Sequence, residues 1–308
     1  MNKKEPSANE SEEAREMRYA FFIGCVTPYR ETSYEISTRL VCKKLGIELV
    51  ELEGANCCGL PIDSMNHESA LTLAARDLTL AEDMKLDIMT LCTGCAGALT
   101  KTNRHLKEDR ESRERINNYL KEIDREFKGT IEVKHLVRVL LEDVGLEKLK
   151  DFIKRPLKGL KVAGHHGCHI LRPSKYLQFD DPENPSFLQD LIELTGADNV
   201  GYIDERDCCG AVAMAANRDV PMHLIRNKIL HVIETGASAL VTVCPSCHFM
   251  FDSNQPIAEK KFSETYNLPV IHYPQMLGLA MGFSPEELAM DGLKVNPEKL
   301  LDAIAKTN

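Results

Sequence analysis

The chain lacks any run of 18 apolar residues, so it offers no candidate membrane-spanning helix. Its first 17 residues, MNKKEPSANESEEAREM, lack the apolar core of a signal peptide. They are polar, charged and aperiodic, which predicts a flexible tail over 1–17, with Met17 a candidate alternative start. A basic excess is also missing. The 38 Lys and Arg face 47 Asp and Glu, and the net charge of −9 excludes the electrostatic footprint of nucleic-acid binding. Without a leader or a span, the expected location is the cytoplasm. Any anionic substrate then needs a locally basic pocket on this acidic chain.

What is present is cysteine. A chain of 308 residues, 43% hydrophobic and 28% charged, reads as about two ordinary globular domains. Eleven cysteines need a reason. In a chain with no secretion signal, metal or redox chemistry explains them better than disulfides.

The cysteines form a repeat. The first set is Cys25, Cys57, Cys58, Cys92 and Cys95; the second is Cys168, Cys208, Cys209, Cys244 and Cys247. The spacings are C-x31-CC-x33-CxxC and C-x39-CC-x34-CxxC, and Cys42 alone is left over. Both adjacent pairs are followed by glycine, in GANCCGLPI (54–62) and DCCGAVAMA (207–215). Around them, strand-like apolar runs repeat: YAFFIGC and LKVAGHHGC, GIELVEL and DNVGYID, LDIMTLC and SALVTVC, IEVKHL and LPVIHY. They do not alternate strictly, as befits strands buried on both faces.

Helical stretches separate these runs: TSYEISTRLVCKKLG with a C-capping glycine, SALTLAARDLTLAEDMK, and VPMHLIRNKILHVIETG. Strand–helix alternation predicts an α/β fold of two tandem pseudo-symmetric repeats. Each is expected to be a small four-stranded parallel sheet with flanking helices. The expected domains span 18–150 and 151–308, the second closing with C-terminal helices. Residues 101–130 read as a charged helix extension or a docking arm. Residues 169–187 carry three prolines and read as an irregular loop.

In such folds ligands gather beyond the carboxyl ends of strands. Cys25, Cys92, Cys168 and Cys244 each end a strand-like run, so the five cysteines of a repeat can converge there. Each CxxC also opens a helix, where the dipole favours thiolate. A zinc site or an ordinary cubane needs four thiols, and five are offered. Adjacent cysteines diverge and serve separate metal atoms more readily than one. The pattern suits a polynuclear iron–sulfur group larger or less symmetric than a cube. Structural zinc, disulfides or a CxxC redox pair stand as alternatives. Cys42 reads as a core residue.

This duplicated motif resembles the CCG-domain family, and within it the B subunits of heterodisulfide reductase of the cytoplasmic methanogen type. The likeness runs from about Met17 through nearly the whole chain. A fused ferredoxin-like C-x2-C-x2-C-x3-CP segment, found in many other relatives, is absent. The resemblance implies two non-cubane [4Fe–4S] clusters. Cys25, Cys57, Cys58, Cys92 and Cys95 would hold one; Cys168, Cys208, Cys209, Cys244 and Cys247 would hold the other. It implies an enzyme, an iron–sulfur disulfide oxidoreductase that reduces the mixed disulfide of coenzyme M and coenzyme B to two thiols. It further implies an iron–sulfur C subunit, a flavin-containing, electron-bifurcating A subunit, and indirectly a hydrogenase or formate dehydrogenase module as partners. Two clusters facing one cleft could each receive one sulfur of the split bond. An electron-transfer subunit of a dehydrogenase or quinone-linked complex, and a zinc-stabilised assembly module, are the competing readings. Both coenzymes are anionic, which draws attention to HHGCHILRPSK: His165, His166, His169, Arg172 and Lys175 beside Cys168. Arg172 and Lys175 are candidate substrate contacts, and His165 and His166 candidate proton donors. His135 and His272, at equivalent fourth strands, read as structural.

Overall fold

A computed structural model describes residues 17–307; the predicted tail over 1–16 lies outside them. Two four-stranded sheets carry the chain. Strands β1 (Met17–Phe22), β2 (Ile47–Glu51), β3 (Ile88–Thr90) and β4 (Val133–His135) are ordered β2-β1-β3-β4. Strands β5 (Lys161–His165), β6 (Asp198–Asn199), β7 (Ala239–Thr242) and β8 (Val270–His272) repeat that order as β6-β5-β7-β8. Every pairing is parallel, as the unbroken apolar runs predict. Met17, read with the tail, instead pairs with Ile47 and starts β1.

Strand side chains alternate between two cores. Tyr19 and Phe21 face one, while Ala20 and Phe22 face the other. The second sheet does the same with Val162, Val241 and Ile271 against Ala163, Leu240 and Val270. Each core therefore runs through both repeats instead of closing within one. Tyr34 marks the joint: it is fully buried, and its hydroxyl donates to the Val243 carbonyl at 3.0 Å.

Several elements depart from expectation. The charged stretch after residue 101 is a helical hairpin. Helix Thr93–Glu108 stops at Asp109, whose side chain caps helix Arg110–Leu120 by accepting from the Ser112 N–H at 3.0 Å. That second helix buries Ile116 and Leu120, and Arg115 bonds Glu68 at 2.8 Å, so it packs down on helix His67–Met84. The proline-rich loop also holds regular structure. A 3-10 turn spans Cys168–Ile170 and a short helix spans Ser174–Leu177, which Pro173 introduces because its ring suits a helix entrance. DNVGYID yields only the two-residue edge strand β6. Helix Thr32–Leu45 ends, as expected, on left-handed Gly46.

Candidate metal centre

The strand order reverses between β1 and β3 and between β5 and β7, which opens a crevice at the carboxyl ends of each pair. Cys25 and Cys168 lie just beyond β1 and β5, and Cys92 and Cys244 just beyond β3 and β7. Cys92 and Cys244 are the N-cap residues of helices Thr93–Glu108 and Pro245–Phe251. The adjacent pairs arrive on the loops after β2 and β6, and left-handed Gly59 and Gly210 turn those loops back, both at φ +83°. A Cβ on Gly59 would lie 2.5 Å from the Ala70 carbonyl oxygen, so the loop sits directly on helix His67–Met84.

All eleven cysteines are free thiols, and the structure brings ten of them together. Nine form one unbroken run of side-chain contacts: Cys57–Cys58–Cys95–Cys92–Cys244–Cys247–Cys209–Cys208–Cys168. Within it the Cys209 and Cys247 sulfurs lie 3.4 Å apart. Cys25 faces Cys57 from the first loop. The two quintets touch at Cys92 and Cys244, across the joint between the repeats. Thr93, inside the first CxxC, adds its hydroxyl to Cys244.

All five thiols of the first quintet line one cavity of about 100 Å³, together with Ser246 of the second repeat. The cavity beside Cys168 is about 10 Å³. This donor set is almost purely sulfur, which suits a soft metal group demanding thiolates.

The sulfurs polarise one another. Cys58 is held below the ordinary thiol value by its bond with Cys95, and Cys244 by Cys247 and Cys92. Cys208 falls to about 2 through Cys168 and Cys209. Their partners Cys95, Cys168 and Cys247 rise because each holds the shared proton. Cys42, alone in the core, is pushed up to about 12 by burial and is inert.

A second polar cluster locks the joint. Glu31, just after the first quintet's opening loop, places Oε2 2.6 Å from His248 Nδ1 and 3.1 Å from His272 Nε2. All three are buried. His272 also stacks between Tyr34 and His248, with ring centroids 3.9 Å from each. Burial alone would raise the Glu31 carboxyl, but the two histidine bonds prevail and hold it at about 2. Burial and the His248 charge push His272 down to about 3. His248 is raised, its bond with Glu31 outweighing burial. His135, at the equivalent end of β4, bonds the Leu91 carbonyl at 2.8 Å.

The predicted substrate residues divide. Arg172 is half-buried, donates to the Pro182 carbonyl at 2.7 Å, and lines a cavity of about 190 Å³ with Cys58, Lys101 and His169. That pocket is basic at its wall, with Asp63 bonded to Lys101 at 3.1 Å, and apolar at Leu60, Ala70 and Leu71. Lys175 is exposed and sits over the Tyr176 ring. His165 is buried with both ring nitrogens unpartnered, and His166 lies 3.6 Å from Glu205. Burial and the Lys228 charge depress both, His166 to about 4, so at neutral pH neither is a ready proton donor. Lys101, Glu31 and Thr93 escaped the sequence reading. Lys101 shares a helix face with Gly94, Gly97 and Ala98, and that spacing was its only signal. A larger depression, about 1060 Å³, lies at the amino end of the first sheet among ion pairs and contains no cysteine.

Comparison with known proteins places these features. The cysteine-rich CCG domain matches twice, over residues 19–100 and 162–252. The B subunit of the Methanosarcina mazei ferredoxin:CoB-CoM heterodisulfide reductase is 39% identical over 94% of this chain and 96% of its own. The Wolinella succinogenes 8-methylmenaquinol:fumarate reductase membrane anchor subunit is 34% identical over 92% of this chain and 98% of its own. A crystal structure of a hypothetical Helicobacter pylori protein shares the fold, with a TM-score of 0.73 at 16% identity over 91% of this chain and 52% of that one. Among the described residues, no helix is long and apolar enough to cross a membrane.

Proposed function

The chain belongs to the cysteine-rich CCG family, with heterodisulfide reductase B subunits among its relatives, and from that premise we propose that it is a disulfide-reducing subunit. Each quintet holds a non-cubane [4Fe–4S] cluster, one through Cys25, Cys57, Cys58, Cys92 and Cys95, the other through Cys168, Cys208, Cys209, Cys244 and Cys247. The substrate is the mixed disulfide of coenzyme M and coenzyme B. When bound, the clusters supply single electrons, and splitting a disulfide takes two. The observation that carries this reading is the contact of Cys92 with Cys244. It puts both thiol sets against one joint, within reach of the two halves of one S–S bond. Lys101, His169 and Arg172 hold an anionic arm beside Cys58, while Leu60, Ala70 and Leu71 exclude water there. Lys175 attracts anions at the rim. A cubane-bearing C subunit and a flavin-bearing A subunit deliver the electrons, drawn from a hydrogenase or formate dehydrogenase module.

Anaerobic purification followed by iron, acid-labile sulfide and paramagnetic resonance measurements tests the proposal, with and without the mixed disulfide. We expect two iron–sulfur signals that respond to the disulfide, and turnover with an artificial reductant. Zinc without sulfide would leave only an assembly module. The fumarate reductase relative supports a second reading, an electron-transfer subunit of a quinone-linked complex. Full cluster content without disulfide turnover in the assembled complex selects it.

A further inference from the structure

The two quintets are alike in what the backbone gives them. In each, three thiols are buried, one is half-buried and one exposed. In each, the glycine after the pair and the residue after it turn their N–H groups to the sulfurs: Gly59 and Leu60 to Cys57 and Cys58, Gly210 and Ala211 to Cys208 and Cys209. Cys95 and Cys247 do the same for Cys92 and Cys244. Exposure and hydrogen bonds to sulfur are two of the levers that set an iron–sulfur potential. Exposure and backbone donors are matched here, and the Thr93 hydroxyl on Cys244 is an added donor at the second quintet.

Charge is not matched. Nineteen residues after Cys58 stands Asp77, and nineteen after Cys209 stands Lys228. Both are buried, at 0% and 1% exposure. Both tie down the loop that leads into the pair, with opposite polarity. Asp77 Oδ1 accepts the Asn56 N–H at 2.9 Å, whereas Lys228 Nζ donates to the Asp204 carbonyl. Asp77 acts on Cys58, and Lys228 on Cys247 and Cys209. Their counter-charges sit nearer solvent: Arg76 lies 3.2 Å from Asp77, and the Asp204 carboxylate 3.1 Å from His231. The ends of the central strands differ in polarity but not in charge, Phe22 and Ile23 in the first repeat against His165 and His166, both depressed by burial, in the second.

We infer that Asp77 and Lys228 are positioning residues that polarise the pair of sites and make the second the more readily reduced. The inference rests on the reading that each quintet holds an iron–sulfur cluster. Reduction adds one negative charge. In a buried, low-dielectric surrounding an ammonium stabilises that charge and a carboxylate opposes it. Burial raises Asp77 to about 6 and lowers Lys228, yet the exchange of a carboxyl for an amine at matching places remains; the Lys101 ammonium on the other side of Cys58 is paired with Asp63 at 3.1 Å, and Arg172 is bonded to the Pro182 carbonyl. A single electron delivered to the protein therefore resides on the second site, and the first takes the next.

The test is a dithionite titration of the anaerobic holoprotein followed by paramagnetic resonance, the two signals assigned by their loss in Cys58→Ser and Cys209→Ser. The signal lost in Cys209→Ser is expected to appear at the higher potential. Lys228→Met should shift that midpoint down and leave the other in place, and Lys228→Arg should restore it. Asp77→Asn keeps an oxygen for Asn56 and should shift the first midpoint up. A purely structural role would lower cluster content or thermal stability without moving either midpoint. Equal midpoints, a reversed order, or midpoints that ignore both substitutions overturn the inference. If Lys228→Met does not fold, the wild-type order and Asp77→Asn decide alone. Protein free of iron and sulfide fails earlier, and overturns the cluster reading itself.

Discussion

The first repeat and the second carry the same sulfur pattern on the same strand order, yet each holds its neighbour differently. The first reaches into the second with a charge: Glu31 crosses the joint to His248 and His272. The second answers with backbone and shape. Its His169 lies across the helix that opens at Cys92, where a Cβ on Gly97 would stand 2.8 Å from the His169 carbonyl oxygen. Ser174, six residues after Cys168 as Glu31 is six after Cys25, is exposed. The sulfur chemistry is duplicated while the joint is not. That asymmetry lets two similar sites sit in contact and still differ.

The largest effect tests the duplication. Cys58→Ser or Cys209→Ser should each abolish complete two-electron turnover while the other site's resonance signal persists. Full turnover in both variants would end the two-site reading. Next comes the joint. Glu31→Ala strips the shared acceptor from two buried imidazoles, and breaking a buried charged pair from one side costs roughly 3–5 kcal/mol. Ser174→Ala at the matching place should stay within about 0.5 kcal/mol. Denaturant unfolding measures both, and equal losses would show the joint to be symmetric after all.

A finer comparison isolates packing from backbone strain. Gly59 and Gly210 share φ +83°, so alanine at either place pays about 1–2 kcal/mol for a left-handed conformation. Beyond that they part. At Gly59 the new Cβ meets the Ala70 carbonyl at 2.5 Å, a hard overlap; at Gly210 it comes no nearer than 3.1 Å to the Leu224 side chain and 3.2 Å to the Pro221 Cα. Backbone cannot yield as a leucine end can. Gly59→Ala should therefore lose more thermal stability than Gly210→Ala, the excess being the clash alone.

The sulfur framework was legible because spacing is chemistry: ten cysteines in register, four of them ending strand-like runs, name the thiols that gather beyond the carboxyl ends of the strands before any coordinate is known. The parallel sheets followed from apolar runs that did not alternate. The joint was not legible. Glu31 is an ordinary charged residue in TPYRETSYE, and only the crossing of the chain brings it to histidines more than 200 positions away. Asp77 and Lys228 sat in plain helical stretches, and only superposing the repeats by their cysteine pairs exposes the exchange of sign. Where spacing is irregular the reading also slipped. Asp109, a capping residue, looked like one more charge in a long helix.

The smallest effect is a slope. His135 and His272 end matching strands, and burial lowers both, to about 4 and about 3. Between pH 6.5 and 5 an unfolded chain protonates these two rings and the folded chain does not. Stability must therefore fall with pH by about 1.4 kcal/mol per unit for each. Asp77 works the other way: its raised value lets the folded chain bind a proton first, and it regains stability as pH drops below about 6. Glu31, held at about 2, adds its loss only in stronger acid, below the ordinary carboxyl range. His135→Gln keeps a donor for the Leu91 carbonyl and removes one titrating ring, so its unfolding free energy should vary less steeply from pH 6.5 to 5 by one proton's worth. His272 cannot be removed so simply, because Glu31 and His248 titrate with it. An unchanged slope in His135→Gln would mean that the first repeat's histidine is not held neutral, and that the two strand ends differ in charge as well as in partner.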